Sequence, residues 1–425
     1  MVKRLVMLAV ALNAAVVVGG QERSKPSGTQ TETDAYTRYE LLAPEIASFA
    51  IRYEVTATTA GAKVYYNPIR KGSVASNESV FDQATGQPLK FEVVKGDEAV
   101  KDLLMKGESA STDYIKIYLA RPVPAEGQAR LLILKTYKDA KSYYREGDTI
   151  VFNRGLSVPR NSVVLPAGYE LVQCNIPSQV LAEPDGRIAI SFMNLSGADA
   201  PFVVKGKLGA QTGAAAVPRS PGSAKSWEAP FEGETEKARL SERAHQDRDI
   251  VYFLQQPETH AFRLYHDYTE SRPGIDKYFN VVRGGSKVSE PSAYLLDSGE
   301  KLETKIVTGA EVAAAQLGST EEKIDPASQV VVIPFPAVKA GESLRLRISE
   351  TYTAPASYRL DADELVFDRS LGRARNAVVL PEGWYLLDSS IPAKVTQLPD
   401  GKIRLDFWNG RPDGVDVLVR AKRRR

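Results

Sequence analysis

The chain is predicted to be all-β and to contain one unit twice, each copy built as two β-sandwich-like subdomains. Three observations carry this. Residues 151–177 align with 366–392 at 14 identities in 27 positions without a gap, where roughly 6% of positions match by chance. Apolar residues alternate along short runs rich in Val, Ile, Tyr and Phe, the period of a half-buried strand. Turn signals separate those runs, and the Asp-Gly pair at 185–186 recurs at 400–401, a strong hairpin signature between alternating segments.

The repeat extends well beyond the matched block. Downstream the offset stays at 215, so that Ile188, Ile190, Phe192 and Asn194 answer to Ile403, Leu405, Phe407 and Asn409. Upstream the offset is 213: Tyr39 pairs with Tyr252, Tyr65 with Tyr278, and Arg70, Gly72 and Ser73 with Arg283, Gly285 and Ser286. Two residues are therefore gained in copy two, between Gly309 and Thr351. The unit is far longer than a solenoid repeat.

Taken in chain order, residues 1–20 read as a secretory signal peptide. Lys3 and Arg4 precede an apolar run over 5–18 that ends in Val18, Gly19 and Gly20. The run is too short for a comfortable bilayer span, and no other segment is long enough. Residues 21–35 are polar and read as a disordered spacer. Copy one follows over 36–208, a flexible Gly/Ala/Pro-rich linker over 209–248, copy two over 249–421, and a basic tail over 422–425. Trp227 and Phe231 are the linker's apolar cluster. Within each copy, strands are expected at 48–56, 114–119, 131–135, 149–152, 163–165 and 187–192 and at their counterparts. Helices are expected only at 97–104 and 310–317. The two subdomains would meet near residue 110 in copy one and 325 in copy two; a single enlarged sandwich per copy is the alternative.

Composition narrows the chemistry. Lys and Arg total 55 against 53 Asp and Glu, which leaves no basic field for nucleic acid. A single cysteine, Cys174, precludes an internal disulfide, and its counterpart is Ser389. It reads as a small hydrophobe in a strand. The three histidines, His245, His260 and His266, have no counterparts in copy one. His260 and His266 lie too far apart along an extended strand to share a metal. No phosphate loop, dinucleotide Gly pattern, HExxH or G-x-S-x-G occurs. No cofactor or metal is expected.

The candidate binding residues are polar groups shared by both copies and aromatics enriched in copy two. Arg154 and Arg369 end a Val-Phe-x-Arg strand; Arg160-Asn161 and Arg375-Asn376 open the next. Their guanidinium and amide donors suit backbone carbonyls of the intervening loop. The alternative reading is a clamp of two arginines on an anion or carboxylate. Trp384 replaces Tyr169, and Trp408 replaces Met193 beside core-facing Phe407, which places Trp408 on the opposite side of its strand. Either Trp could form a platform for a sugar or a partner protein, or pack against a neighbouring sheet.

These features predict an exported, periplasmic or extracellular protein of the bacterial cell envelope that acts by binding or as a scaffold. Its partner would be an envelope protein or a glycan. The competing expectation is a secreted hydrolase or carbohydrate-binding accessory protein using carboxylates at a subdomain junction. A filled junction with open apolar surface separates the first from the second.

Overall fold

The computed structural model describes residues 30–101, 112–209, 242–315, 324–411 and 413–424. The expected signal peptide, most of the linker with Trp227 and Phe231, and the ends of both expected helices lie outside the described residues. What is described is almost all β, 56% strand against 5% helix, and falls into two similar halves.

Period-two patterning explains each half. Along Ser48–Ala57, Phe49, Ile51, Tyr53, Val55 and Ala57 are buried in one core while Arg52 and Glu54 point to the other face. That strand sits inside a large sheet. Its spatial order is Gln179–Ala182, Ile188–Met193, Arg160–Val164, Glu32–Leu41, Ser48–Ala57, Ala129–Lys138 and Val74–Asp82. All neighbours are antiparallel except Glu32–Leu41 with Arg160–Val164, where Tyr36 pairs with Arg160.

The buried face is covered by two smaller sheets side by side. A four-stranded sheet contributes Ile150, Phe152, Phe202 and Val204, and a three-stranded sheet contributes Tyr65, Ile115 and Ile117, all to one cluster. The outer face of the three-stranded sheet carries Tyr66, Val94 and Tyr114, closed by Ala99 of the helix Gly96–Lys101. Copy two repeats the order, with the helix Gly309–Ala314 placing Val312 over Val307 and Val330. Thr308 and Glu311 cap that helix reciprocally. Copy two adds one edge strand, Glu300–Leu302, where copy one has a single bridge between Phe81 and Pro88.

Several expected boundaries shift. Ala129–Lys138 inserts between Ser48–Ala57 and Val74–Asp82. Strands from both sides of residue 110 therefore share one sheet and one core. Each copy is thus one enlarged sandwich, the small sheet adding to the same core, rather than two subdomains meeting near 110 and 325. The order of strands along the chain does not reveal such an insertion. The spacer ends earlier than expected, because Glu32–Leu41 is already strand and Gln30 bonds the backbone of Tyr66 through both amide atoms. The basic tail is likewise the end of strand Val415–Arg423, with Lys422 paired to Asp363 and Arg423 to Glu258. Asp-Gly turns form at both expected places, Gly186 and Gly401 having φ of 84° and 82°, a region glycine enters without strain. Among the described residues no helix is long and apolar enough to cross a membrane.

Candidate functional site

The two copies meet through equivalent parts, in the manner of a two-fold dimer joined in one chain. Gln128 N–H donates to the Leu296 carbonyl, and Ser343, its counterpart, donates to that of Ala84, both at 2.9 Å. Arg130 grips Asp297 with Nε at 2.7 Å and Nη2 at 2.8 Å. Gly86 backs onto Gly341 so closely that a Cβ would lie 2.8 Å from the Gly341 carbonyl oxygen.

The centre of this seam is a carboxylate, Asp34. Its Oδ2 lies 2.6 Å from Arg345 Nη2, and its Oδ1 lies 2.5 Å from Arg375 Nη2 and 3.4 Å from Arg160 Nη2, ion-pair contacts in which Oδ1 accepts no hydrogen bond. Arg160 belongs to copy one and Arg375 is its counterpart in copy two, so the matched arginines converge on one anion from opposite sides. Burial would raise the Asp34 carboxyl; Arg375, Arg160 and Arg345 outweigh it and hold the group far below the usual carboxylate range. Asp34 adopts φ of 60° at a register shift in its strand, which turns its side chain into the seam.

Residues 242–248, the end of the expected linker, form a strap beside this cluster, buried over 242–244 and half-buried after that. Arg160 donates to the carbonyls of Ala244 and His245, and Arg375 donates to that of Asp247. Glu242 accepts from the Tyr36 hydroxyl at 2.8 Å, while Arg243 donates to the carbonyls of Asn409 and Gly372. The mutual position of the copies is thus set by direct contacts rather than by a loose linker. The cavity lined by Ala84, Gln128, Arg130 and Asp297 is only about 10 Å³, room for one water.

Other sequence-chosen residues divide clearly. Asn161 and Asn376 tie down the loop as expected, donating to the Val158 and Arg373 carbonyls at 2.5 and 2.8 Å. Arg154 does not bond that loop; it pairs with the Asp139 carboxylate at 2.9 Å and with Ser142 Oγ at 3.2 Å. Arg369 has no such partner, and its Nε and Nη1 are shielded and unbonded. Trp384 is buried, its indole donating to Gln256, so it is no surface platform. Trp408 does face away from Phe407 and is half-buried, paired across the strands with Arg375. Cys174 is half-buried and donates its thiol to the Ile176 carbonyl, as Ser389 does with its hydroxyl to Ile391. That shared polar role explains the exchange better than hydrophobicity.

The histidines go to separate places. His260 caps a short 3₁₀ turn at φ 54°, and His245 lies 3.3 Å from Glu54. His266 is buried, and burial with Arg373 and Arg248 nearby brings it down to about 3. Asp34, Arg130 and Arg345 escaped sequence reasoning, although a signal existed. Asp34 and Asp247 match at offset 213, and Arg130 and Arg345 at 215.

No protein-family model and no curated protein matches the chain. Among solved structures it is similar to an M1 zinc metallopeptidase from Deinococcus radiodurans, at 10% identity and a TM-score of 0.29, covering 42% of each chain. It is also similar to an aminopeptidase N family protein from Idiomarina loihiensis, at 11% identity and a TM-score of 0.25, covering 41% of this chain and 29% of that one. The chain spans less than half the length of each, and likeness this slight carries neither fold nor activity across.

Proposed function

We propose that this is an exported binding or scaffold protein of the bacterial envelope or extracellular space, acting as one rigid two-lobed body. The observation that carries the reading is a set of exposed apolar residues repeated at equivalent positions. Val172 (51% exposed) answers to Leu387 (40%), and Val180 (46%) to Val395 (51%). All four lie on edge strands of their sheets. A single exposed Val needs no explanation. The same side chains kept outside in both copies, on strand edges with unpaired backbone groups, suit contact with another protein. The tight seam supports the same reading, since its cavity lined by Ala84, Gln128, Arg130 and Asp297 has room for about one water.

The test is the quadruple substitution Val172→Lys, Val180→Lys, Leu387→Lys and Val395→Lys. Crosslinking in the exporting cell should capture envelope proteins with the wild type, and the variant should lose them while its circular dichroism and melting stay unchanged. Equal capture by both proteins refutes the reading.

A hydrolase reading has one observation in its favour. Burial and the adjacent Asp267 raise Asp249 to about 6 while Asp34 is held low, and carboxylates pushed apart in this way serve acid–base chemistry elsewhere. Turnover of a glycoside, ester or peptide panel, abolished by Asp249→Asn with the fold intact, would establish it.

A further inference from the structure

The two copies differ at one buried charge, Asp139 in copy one answering to Ala354 in copy two. In copy one, the Asp139 carboxylate is held by a ring of donors. Oδ2 accepts from Arg154 Nη1 at 2.9 Å, Ser142 Oγ at 2.7 Å and Ser73 Oγ at 3.1 Å, and Oδ1 accepts from the N–H groups of Lys141 and Ser142, both at 3.1 Å.

Copy two keeps this frame bond for bond. Ser357 N–H donates to the Ala354 carbonyl as Ser142 donates to that of Asp139, and Asp368 N–H to Ser357 as Asn153 to Ser142. Ser286 N–H donates to Arg283 as Ser73 to Arg70, and the Arg283 side chain reaches the Ser370 carbonyl as Arg70 reaches Gly155. Arg369, Ser286 and Ser357 stand where Arg154, Ser73 and Ser142 stand. The carboxylate alone is gone, because Ala354 replaces Asp139.

What remains, among the described residues, is a buried guanidinium with no carboxylate beside it. Arg369 is 6% exposed. Its guanidinium lies 5.3–5.9 Å from the ring centres of Phe262, Tyr252 and Tyr352. Its Nε and Nη1 have no hydrogen-bond partner, and among the described residues no carboxylate pairs with it. Burial and the Arg369 charge together lower the neighbouring Arg283, a second cation at the same place. A buried guanidinium left unpaired is costly, and an anion that completes the ring recovers that cost.

We propose that copy two binds a small carboxylate of formate or acetate size between Arg369, Ser286 and Ser357, where copy one carries its own Asp139. The rim residues Arg283 and Ser286 lie on an exposed to half-exposed turn, which gives the anion an entry. The site is independent of the edge-strand surface proposed above.

The experiment titrates sodium formate into the purified full chain at constant ionic strength, balanced with sodium gluconate, which is too bulky to enter. Melting of the wild type should rise saturably by about 2–4 °C at tenfold excess over the dissociation constant. Ala354→Asp, which supplies an internal carboxylate, should melt higher than the wild type and ignore formate. Asp139→Ala should gain a second formate response. An equal response in wild type and Ala354→Asp, or none in the wild type, overturns the proposal. Should Ala354→Asp fail to fold, labelled formate decides on the wild type alone. Broadening of its ¹³C resonance, reversed by acetate, supports the site, and an unbroadened line refutes it.

Discussion

Replacing Asp34 with Asn tests whether the seam between copies rests on one carboxylate. The change keeps the shape and removes the charge, leaving Arg160, Arg345 and Arg375 facing one another. Asp34 and Arg345 are each 5% exposed at the side chain, so their interaction is little screened. Removing one partner from a buried, hydrogen-bonded charge cluster costs ~3–5 kcal/mol. For a unit of this size that lowers the melting temperature by roughly 6–20 °C.

The informative comparison is Asp247→Asn, the same position of the repeat in copy two. Asp247 also receives Arg345, at 3.0 Å, but its side chain is 32% exposed, and its loss should cost only about 1 kcal/mol. The pH behaviour follows from the direction of the shift. A carboxyl held below its ordinary value near 3.8 contributes stability that is present above that value and lost as pH falls through the folded one. The difference between wild type and Asp34→Asn should therefore be flat from pH 8 to about pH 4 and narrow only in stronger acid. Urea unfolding at several pH values measures this. Equal losses for the two variants, or less than about 1 kcal/mol for Asp34→Asn, would refute the reasoning.

Three further predictions concern positions where the copies carry opposite chemistry. Lys135 and Glu350 are equivalent and buried, and each bonds the matching Asn67 or Asn280. Burial, with Arg154 adding to it, brings Lys135 down to about 7, while burial raises Glu350. The unfolded chain then binds the extra proton at Lys135 between about pH 7 and 10.5, so stability from this site rises with pH across that window. Glu350 acts in reverse, its site losing stability as pH rises above 4.5. Lys135→Met should stabilise the protein by up to ~4 kcal/mol at pH 6 and flatten the alkaline-side slope; Glu350→Gln should flatten the opposite slope, both read from urea midpoints. On the outer sheet face, Arg38, Glu40 and Glu183 form ion pairs where copy two has Val251, Phe253 and Leu398 in a small apolar cluster. Transplanting those three residues into copy one should leave stability within about 2 kcal/mol of wild type or raise it; a larger loss by calorimetry would count against the equivalence of the two solutions.

Part of this architecture was readable from residues alone because local rules decide it. Period-two burial follows from strand geometry, so the core faces and the outward turn of Trp408 were legible, as were the Asp-Gly turns, where backbone conformation selects glycine. The duplication was legible because two copies of one sequence must repeat one set of contacts. Asn161 and Asn376, whose bonds reach only three residues back, followed the same logic.

The seam depended on contacts that no local rule encodes. Asp34 sits in a polar stretch that looks like a spacer; pairing with Ser48–Ala57 makes that stretch a strand, and Arg345 and Arg375, more than 300 residues away, hold its carboxylate in the seam. Arg160 looked like a loop tie because its nearest sequence neighbours offer carbonyls. Its actual acceptors are the Ala244 and His245 carbonyls on the strap and the Asp34 carbonyl, the last brought beside it by parallel pairing of its own strand with Glu32–Leu41. Trp384 was a surface candidate until Gln256 and Arg423 closed over it. The Asp139-to-Ala354 exchange was visible as a difference between copies, but its consequence was not. Only the packed core shows that Arg369 has been left without the anion its counterpart holds, because burial, not sequence, makes an unpaired charge costly.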